Sequence, residues 1–358
     1  MTRFMQIRVA SVALFVVACG ASEQARELTA PLSAPEARPP QVAVTGQFPC
    51  DSIGEIHFIC DMVSPEDIAV VPGAEWAIAS GARPGGRLHL LDVGSKTATV
   101  LFPTLDRDER LDAGAYPDCP GPLDLSDPDA SRLHGLYMKP GESDLHTLYA
   151  VHHGPRESVE AFEVNTMELP PRLAWVGCFP APEGRTFNSV VALPDGGIAA
   201  TSGSVMQWHA NTGWVEVPGS EDAAANGLEV SGDGQFLFIA GWTEEKLTRV
   251  SRGLTPVQKD VVQLGFRPDN FRMSLDGTVI FAAGHTDKFG DPISDPREPT
   301  LETTNVATID PNTLEVRRIF VHPAIDGLVT STTATRIGDE LWLGSYRGDR
   351  LAYLPMPE

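Results

Sequence analysis

Basic residues are scarce in this chain. Lysine and arginine number 27 against 48 aspartates and glutamates, which gives a formal net charge of −21 over 358 residues. The acidic side chains are scattered along the sequence rather than gathered in blocks. Because a surface of this charge repels phosphate groups, nucleic acid and anionic membrane surfaces are not expected partners.

Long apolar runs and amphipathic helical patterns are also missing. After the first 20 residues, no apolar stretch is long enough to span a bilayer. The chain contains instead short apolar runs that alternate with Gly, Pro, Asp and Asn turns, as in DIAVVP, EWAIASG, RLHLLDV, TLYAVHH, GQFLFIAG and ELWLGS. Runs bounded by such turns are typical of β-strands, so the sequence predicts an all-β fold.

The N-terminus has the pattern of an export signal. Two arginines precede a short apolar segment, residues 9–18, which runs into Cys19 and Gly20. The sequence VVACG resembles the lipobox of bacterial lipoproteins, in which the cysteine is lipidated; an ordinary signal peptide with an incidental cysteine is the alternative. We expect residues 1–19 to be a lipoprotein signal peptide. Because Gly20 is not the Asp that favours inner-membrane retention, we expect an exported lipoprotein, anchored in the outer membrane and facing the periplasm or the cell surface.

The segment that follows, residues 20–45, is rich in Ala, Pro, Glu and Ser and has no hydrophobic period. This composition predicts a flexible tether. Residues 46–358 then form the folded body, and the lipid anchor would be its only contact with the membrane.

Cysteine is rare outside the lipobox, with four residues in the body: Cys50, Cys60, Cys119 and Cys178. An even number in an exported chain predicts two disulfides, for which three pairings are possible. The local pair Cys50–Cys60 is favoured, which leaves Cys119 with Cys178. A zinc site is the alternative, but the C-x₂₋₄-C spacing typical of zinc ligands is absent.

The apolar runs repeat. Six units open with a polar residue and a strand, at Glu66–Asp67, His134–Gly135, Asn188, Asn226–Gly227, Asp269–Asn270 and Thr330–Ser331. A spacing of about 40 residues suits four-stranded propeller blades. The longer gaps, residues 103–131 and 286–303, are predicted loop insertions. Pairing of residues near 50–60 with the last blade would close the ring. The prediction is a six-bladed β-propeller.

Five oxygen-bearing side chains stand at the starts of these units: Glu66, Asn188, Asn226, Asp269 and Asn270. Ca²⁺ takes its ligands from carboxylates, amide carbonyls and water. The inner strand of each blade lines the channel, so residues at matched points of these strands converge there. Any one of the five alone would be interpreted as a turn residue before a strand. Their recurrence favours a central calcium-binding channel.

Seven segments resemble, in order, those of the paraoxonase/arylesterase family of six-bladed propellers, and more distantly those of the gluconolactonase and regucalcin group. They are SPEDIAVVPGAEWAIASG, RLHGLYM, TLYAVHHGPRESVEAFEV, FNSVVAL, AANGLEVSGDGQFLFIA, RPDNFRMSLDGTVIFAAGH and STTATRIGDELWLGS. The resemblance covers roughly residues 60–354 at low overall identity. It implies that the same five residues hold a catalytic calcium ion.

The resemblance also implies roles for three histidines. His134 matches the first histidine of the family's catalytic dyad, and His153 matches the second after one gap in the alignment. His285 matches a further histidine near the site and is the candidate for substrate binding. We expect the neighbouring His152 to be a surface residue at the end of its strand.

The family has a second, structural calcium deeper in the channel. Asp67 matches one of its ligands, but Ser189 stands where a partner Asp is expected. The second ion therefore lacks one of its carboxylates here.

These residues favour a calcium-dependent hydrolase of small-molecule lactones or aryl esters. Ca²⁺ would polarise the carbonyl, and the His134–His153 dyad would activate water. No G-x-S-x-G serine motif is present. Two alternatives stay open: a non-catalytic, lipid-anchored propeller that binds a protein or glycan, and a sugar lactonase of the gluconolactonase type. Fold alone does not choose between them.

Overall fold

The computed structural model describes residues 49–127, 130–287 and 301–357. The predicted signal peptide, Cys19 and the tether lie outside these residues. Among the described residues no helix is long and apolar enough to cross a membrane. The one helical element of the described chain is a single 3₁₀ turn, Trp242–Glu244.

Six antiparallel sheets form the blades of a β-propeller, which confirms the predicted fold. Blade I contains β2 (Ile68–Val70), β3 (Trp76–Ala79), β4 (Leu88–Asp92) and β5 (Thr97–Phe102). Blade II contains β7 (Arg132–Lys139), β8 (Leu145–His153), β9 (Ser158–Asn165) and β10 (Arg172–Pro180). Blade III contains β11 (Val190–Ala192), β12 (Ile198–Ser202), β13 (Ser204–His209) and β14 (Gly213–Glu216).

The remaining blades follow the same order. Blade IV contains β15 (Ala225–Val230), β16 (Phe236–Gly241), β17 (Lys246–Ser251) and β18 (Lys259–Gln263). Blade V contains β19 (Arg267–Met273), β20 (Ile280–Asp287), β21 (Leu301–Ile309) and β22 (Val316–Pro323). Blade VI contains β23 (Leu328–Ile337), β24 (Glu340–Gly348), β25 (Leu351–Pro355) and the early strand β1 (His57–Ile59).

The ring closes as predicted, by pairing of β1 with the last blade. β1 runs antiparallel to β25, with Phe58 opposite Ala352. Strands from both ends of the described chain therefore share one sheet. Closure of this kind leaves fewer unpaired backbone groups at the edge of the last blade.

The insertion at residues 103–131 is more than a loop. Its strand β6 (Asp108–Glu109) pairs in parallel with β10 and adds a fifth strand to blade II. Cys119 in the same insertion is bonded to Cys178 on β10. The pairing and the disulfide hold this segment against the outer edge of the blade.

Both favoured disulfides are confirmed. Cys50–Cys60 has a Cα–Cα distance of 6.2 Å, and Cys119–Cys178 has one of 5.1 Å. Disulfides persist mainly in proteins that fold outside the reducing cytoplasm. The two bonds therefore indicate an extracellular or periplasmic protein.

The core lies between neighbouring blades, where apolar faces of adjacent sheets pack together. Phe102 of blade I meets Phe162 of blade II edge to face, with ring centroids 5.0 Å apart. Phe179 of blade II meets Trp208 of blade III at 4.6 Å. Burial of these faces stabilises the blades against each other and holds their inner strands in fixed positions around the channel.

Candidate functional site

The inner strands of the six blades form the wall of the channel. β2, β7, β11, β15, β19 and β23 contact one another in ring order. The six predicted unit openings fall at these strands: His134, Asn226, Asp269, Asn270 and Thr330 lie inside them, Glu66 lies just before β2, and Asn188 lies just before β11. The fold therefore brings all the predicted ligand positions to one ring.

β-bulges occur at the same level in four of these strands. The pairing register with the next strand shifts between Leu133 and Leu136 in β7, and between Ala225 and Leu228 in β15. It shifts again in β19 across residues 269–270 and in β23 across residue 332. Residues in a bulge are released from regular pairing and re-aimed. The polar residues in these bulges are His134, Asn226, Asp269, Asn270 and Thr332, and the first two are each followed by a glycine in the same bulge.

Two glycines beside the bulge residues let adjacent blades approach closely. A Cβ atom on Gly135 would lie 2.5 Å from the backbone oxygen of Asn188, and one on Gly227 would lie 2.1 Å from that of Asp269. Any side chain at either position would push the ring apart. In each of the dipeptides HG and NG, the first residue supplies a polar side chain to the ring, and the glycine leaves room for the backbone of the next blade.

Several ring residues are in direct contact. Asn270 Nδ2 donates a hydrogen bond to Glu66 Oε1 over 2.5 Å, and His134 Nε2 lies 3.7 Å from the same oxygen. Thr332, which the sequence reasoning missed, donates to the backbone oxygen of Glu66 over 2.6 Å. On the other side of the ring, Thr201 donates to the backbone oxygen of Asn226.

The ring contains buried oxygens without hydrogen-bond donors. Glu66 Oε2, Asn188 Oδ1, Asn226 Oδ1 and Asn270 Oδ1 are buried and have no partner among the described residues. A buried polar atom without a partner costs about 1–3 kcal/mol. Four such oxygens in one ring, beside the carboxylate of Asp269, match the ligands that a hard cation prefers. The residues present therefore fit a calcium ion.

The two ring carboxylates are held at a cost that a cation would offset. Burial raises the pKa of Glu66 from 4.5 to about 7, against the opposing effects of the Asn270 hydrogen bond and the Arg272 charge. Burial and the charge of Glu66 raise the pKa of Asp269 well above its ordinary value. Two desolvated carboxylates that repel each other favour binding of a divalent cation.

This donor set is unlike that of a zinc centre. The described residues contain no group of three or more His, Cys, Asp or Glu side chains that could hold a metal ion. Three of the five predicted ligands in the ring are asparagines. Oxygen ligands that are mostly neutral suit Ca²⁺ better than Zn²⁺.

The two predicted dyad histidines are in contact at the edge of the ring. His134 Nδ1 lies 2.9 Å from His153 Nε2. His153 Nδ1 lies in turn 2.8 Å from Glu157 Oε2. Burial, with the nearby His153, lowers the pKa of His134 from 6.5 to about 3. Glu157 was missed from the sequence, although a carboxylate four residues after a histidine, across a strand-ending turn, was a usable signal.

His152 corrects one expectation, since it is buried rather than at the surface. Its Nδ1 lies 3.1 Å from the backbone oxygen of Arg156. Arg156 donates to the backbone oxygen of Gly121, in the insertion before blade II. The insertion covers this end of β8, which sequence alone did not indicate.

His285 lies on β20, the second strand of blade V, and its side chain is only 2% exposed. Its ring meets Trp242 edge to face at 5.6 Å, and Arg267 stacks over the same indole at 4.8 Å. Burial, followed by the charge of Arg267, lowers the pKa of His285 from 6.5 to about 4. His285 therefore lies on the second strand of its blade and not on an inner strand, and its role in substrate binding stays a prediction.

Tyr346 and Arg83 stand beside the histidine pair. The rings of His134 and Tyr346 are 6.0 Å apart, and the guanidinium of Arg83 lies 5.5 Å from the Tyr346 ring. Neither residue was singled out from the sequence. Their position makes them candidates for the wall of a substrate pocket.

Asp67, the predicted ligand of a second ion, has donors on both carboxylate oxygens. Oδ1 accepts from the backbone nitrogen of Ile68 over 2.8 Å. Oδ2 accepts from the backbone nitrogen of Leu136 over 2.6 Å and from the guanidinium of Arg272. The hydroxyl of Ser189 is buried and has no partner among the described residues. Arg272 was also missed, although it follows Asn270 by two residues and so shares its face of the strand.

No protein-family profile and no curated protein matches the sequence. Solved structures match the fold. A gluconolactonase from Xanthomonas campestris has a TM-score of 0.51 at 15% identity, over 84% of this chain and 89% of that one. The luciferin-regenerating enzyme has a TM-score of 0.51 at 11% identity, over 85% of this chain and 94% of that one. Identity this low shows a shared propeller fold, and the paraoxonase resemblance stays a prediction.

Proposed function

We propose that this propeller is a calcium-dependent hydrolase of lactones or aryl esters. The observation that carries the proposal is the pairing of two features at one ring. Four buried oxygens have no donor among the described residues, and a histidine pair joined to a carboxylate lies directly beside them. A cation site and a proton acceptor at contact distance are the two elements that hydrolysis of an ester needs.

The ion would be held by Glu66, Asn188, Asn226, Asp269 and Asn270. When bound, Ca²⁺ acts as a Lewis acid that polarises a carbonyl oxygen. The two carboxylates supply charge, and the three amides supply neutral oxygens that leave the ion electrophilic.

Glu157, His153 and His134 are in contact in that order, and we call these three residues the relay. The order of their contacts determines which nitrogen accepts the proton from water. Glu157 is a hydrogen-bond acceptor, so His153 keeps its proton on Nδ1 and leaves Nε2 as an acceptor. His134 then keeps its own proton on Nδ1, which donates to His153. The free lone pair of His134 is therefore on Nε2, the atom that faces Glu66 and the ring.

This arrangement makes His134 the general base and makes His153 and Glu157 positioning residues. The lowered pKa of His134 keeps its imidazole neutral at physiological pH, so Nε2 is available to accept a proton from water. Protonation of His134 would then be stabilised through His153 by the negative charge of Glu157.

The alternatives explain less of the site. A non-catalytic binding propeller has no need of a three-member relay beside the ring. A sugar lactonase of the gluconolactonase type would share the fold and the cation chemistry, and the substrate panel below separates it from the leading proposal.

The test is hydrolysis by the purified chain of aliphatic lactones, phenyl acetate and gluconolactone, each with Ca²⁺ and with EGTA. We expect turnover of aliphatic lactones or phenyl acetate that is lost in EGTA and restored by Ca²⁺. Preference for gluconolactone would favour the sugar lactonase. Tight calcium binding without turnover of any of these compounds would contradict the hydrolase proposal and favour a binding propeller.

We also propose that the chain is anchored to a membrane through lipidated Cys19. The two disulfides support export, and the VVACG sequence supports lipidation. Metabolic labelling with an alkyne fatty acid should mark the wild type but not Cys19→Ala. Labelling of both proteins would contradict the anchor.

A further inference from the structure

The channel contains a buried cation that the proposed reaction does not use. Arg272, on β19, is only 8% exposed and forms an ion pair with Asp67, which is fully buried. A buried ion pair of this kind is costly to desolvate, and the cost is offset only where further hydrogen bonds satisfy both groups.

The contacts of Arg272 are those that a metal ion would make. Its Nη2 donates to a carboxylate oxygen of Asp67 and to the backbone oxygen of Leu136, the latter over 2.9 Å. Its Nη1 donates to the backbone oxygen of Phe271 over 2.6 Å. One guanidinium thus satisfies a carboxylate and two backbone carbonyls from blades I, II and V.

The charges at the centre of the channel also favour a single ion. One buried carboxylate of the inner strands, Glu229 on β15, already accepts hydrogen bonds from two backbone nitrogens. The other three, on Glu66, Asp67 and Asp269, are each at least nine-tenths buried. One guanidinium and one Ca²⁺ together neutralise them. A second Ca²⁺ beside the guanidinium would add two positive charges that these three carboxylates do not balance, which is unfavourable in a desolvated channel.

We propose that Arg272 serves as a built-in cation in place of a second metal ion, so that the chain binds one Ca²⁺ and orders the deep end of its channel without calcium. The single ion belongs to the ligand ring of the proposed function, on which this part of the inference rests. The contact between Arg272 and Asp67 involves no oxygen of that ring, so it can be tested without calcium.

Calcium stoichiometry is the first test. CaCl₂ is titrated into the chelator-treated full chain by calorimetry, and the loaded protein is weighed by native mass spectrometry. We expect one tightly bound ion per wild-type chain. Two tightly bound ions would overturn the proposal.

Variants of the ion pair provide the second test. Arg272→Met should melt at a lower temperature than the wild type, bind two calcium ions and gain more in melting temperature from millimolar CaCl₂. Arg272→Lys retains a cation and should bind one. The double variant Asp67→Asn/Arg272→Met lacks both charges, so it should melt above Arg272→Met and also bind one. A folded Arg272→Met protein that binds only one calcium ion would contradict the proposal that Arg272 takes the place of a second metal ion.

The thermal comparison is also made in EGTA, which separates this inference from the proposed function. If the wild type bound no calcium at all, the proposed ligand ring would fail. Non-additive effects of the substitutions at positions 67 and 272 on the melting temperature in EGTA would still support Arg272 as a built-in cation. Additive effects on the melting temperature would overturn that role.

Discussion

The side chain of Asn270 donates a hydrogen bond to Glu66 over 2.5 Å, although the two residues are 204 positions apart in the sequence. This contact joins blade V to blade I across the channel. It uses the nitrogen of the amide and leaves the oxygen of Asn270 buried, with no donor in the part of the chain that the structure describes. A cation between the two residues needs the amide to present its oxygen instead, which is a rotation within the space the amide already occupies.

Loss of one amide ligand should weaken calcium binding. We expect Asn226→Ala to raise the dissociation constant for Ca²⁺ roughly 10–100-fold, because one ion–oxygen contact is worth about 1.5–3 kcal/mol. Calorimetric titration measures the constant. The matched control is Asn312→Ala, which changes an exposed asparagine outside the channel. Equal affinities for the two variants would contradict the ligand role of Asn226.

The relay predicts graded losses of catalysis. His134→Gln removes the general base and should lower kcat by about 10²–10⁴-fold. Glu157→Gln should lower kcat by a smaller factor with little change in KM, because it removes a positioning group and not a substrate contact. The surface variant Glu168→Gln should behave as the wild type.

The Glu157 prediction has a readout apart from activity. The ¹⁵N shifts of the His153 ring should report a proton on Nδ1 in the wild type and a mixture of tautomers in Glu157→Gln. Glu157→Asp should restore part of the rate. An unchanged tautomer together with a lowered kcat would show that Glu157 acts in some other way.

A buried carboxylate on blade IV predicts a pH-dependent stability. Burial raises the pKa of Glu229 from 4.5 to about 7, despite donation from the backbone nitrogens of Val230 and Met273. A raised pKa means that Glu229 stabilises the fold most below pH 4.5 and that this contribution is lost as pH rises through about 7. The loss is about 3 kcal/mol at most.

Glu229→Gln stays uncharged, so its stability relative to the wild type should increase between pH 5 and pH 8, as thermal melts at each pH would show. The exposed Glu142→Gln should show no such trend. A constant difference between Glu229→Gln and the wild type would indicate that Glu229 is not protonated on folding.

The two disulfides should differ in their contribution to stability. Cys119 and Cys178 are 59 residues apart, whereas Cys50 and Cys60 are 10 apart. The chain-entropy relation makes the longer loop more stabilising by roughly 1.5 kcal/mol. Denaturant unfolding of the two double alanine variants measures this difference. A larger loss on removal of Cys50–Cys60 would mean that native contacts of the short loop outweigh chain entropy.

Much of the fold was predictable because its signal repeats. Each repeat has a polar residue in or just before its inner strand, so six weak patterns at similar spacing indicated one ring. The same repetition predicted that Asn188 and Asn226 lie in one ring with Glu66. The pairing of β1 with β25 was predictable because an open propeller would leave a sheet edge exposed.

Other features depend on contacts that have no local signature. Arg272 follows the ring residues on β19, but its pairing with Asp67 depends on how three blades approach each other. His152 is buried and contacts Arg156, which is bonded in turn to Gly121 of the insertion. The composition of such a Pro- and Asp-rich segment does not show where it will pack. The bulges that aim Asn226 and Asp269 into the channel likewise follow from the tertiary fold.

The Cys50–Cys60 bond encloses β1 in a covalent loop, because the strand at residues 57–59 lies between the two cysteines. Tension applied to the chain before residue 50 is transmitted through sulfur to residue 60. The hydrogen bonds between β1 and β25 are then bypassed by the load and are not peeled apart from the end of the strand. The closing strand of the propeller is thereby mechanically isolated from whatever pulls on the N-terminal segment.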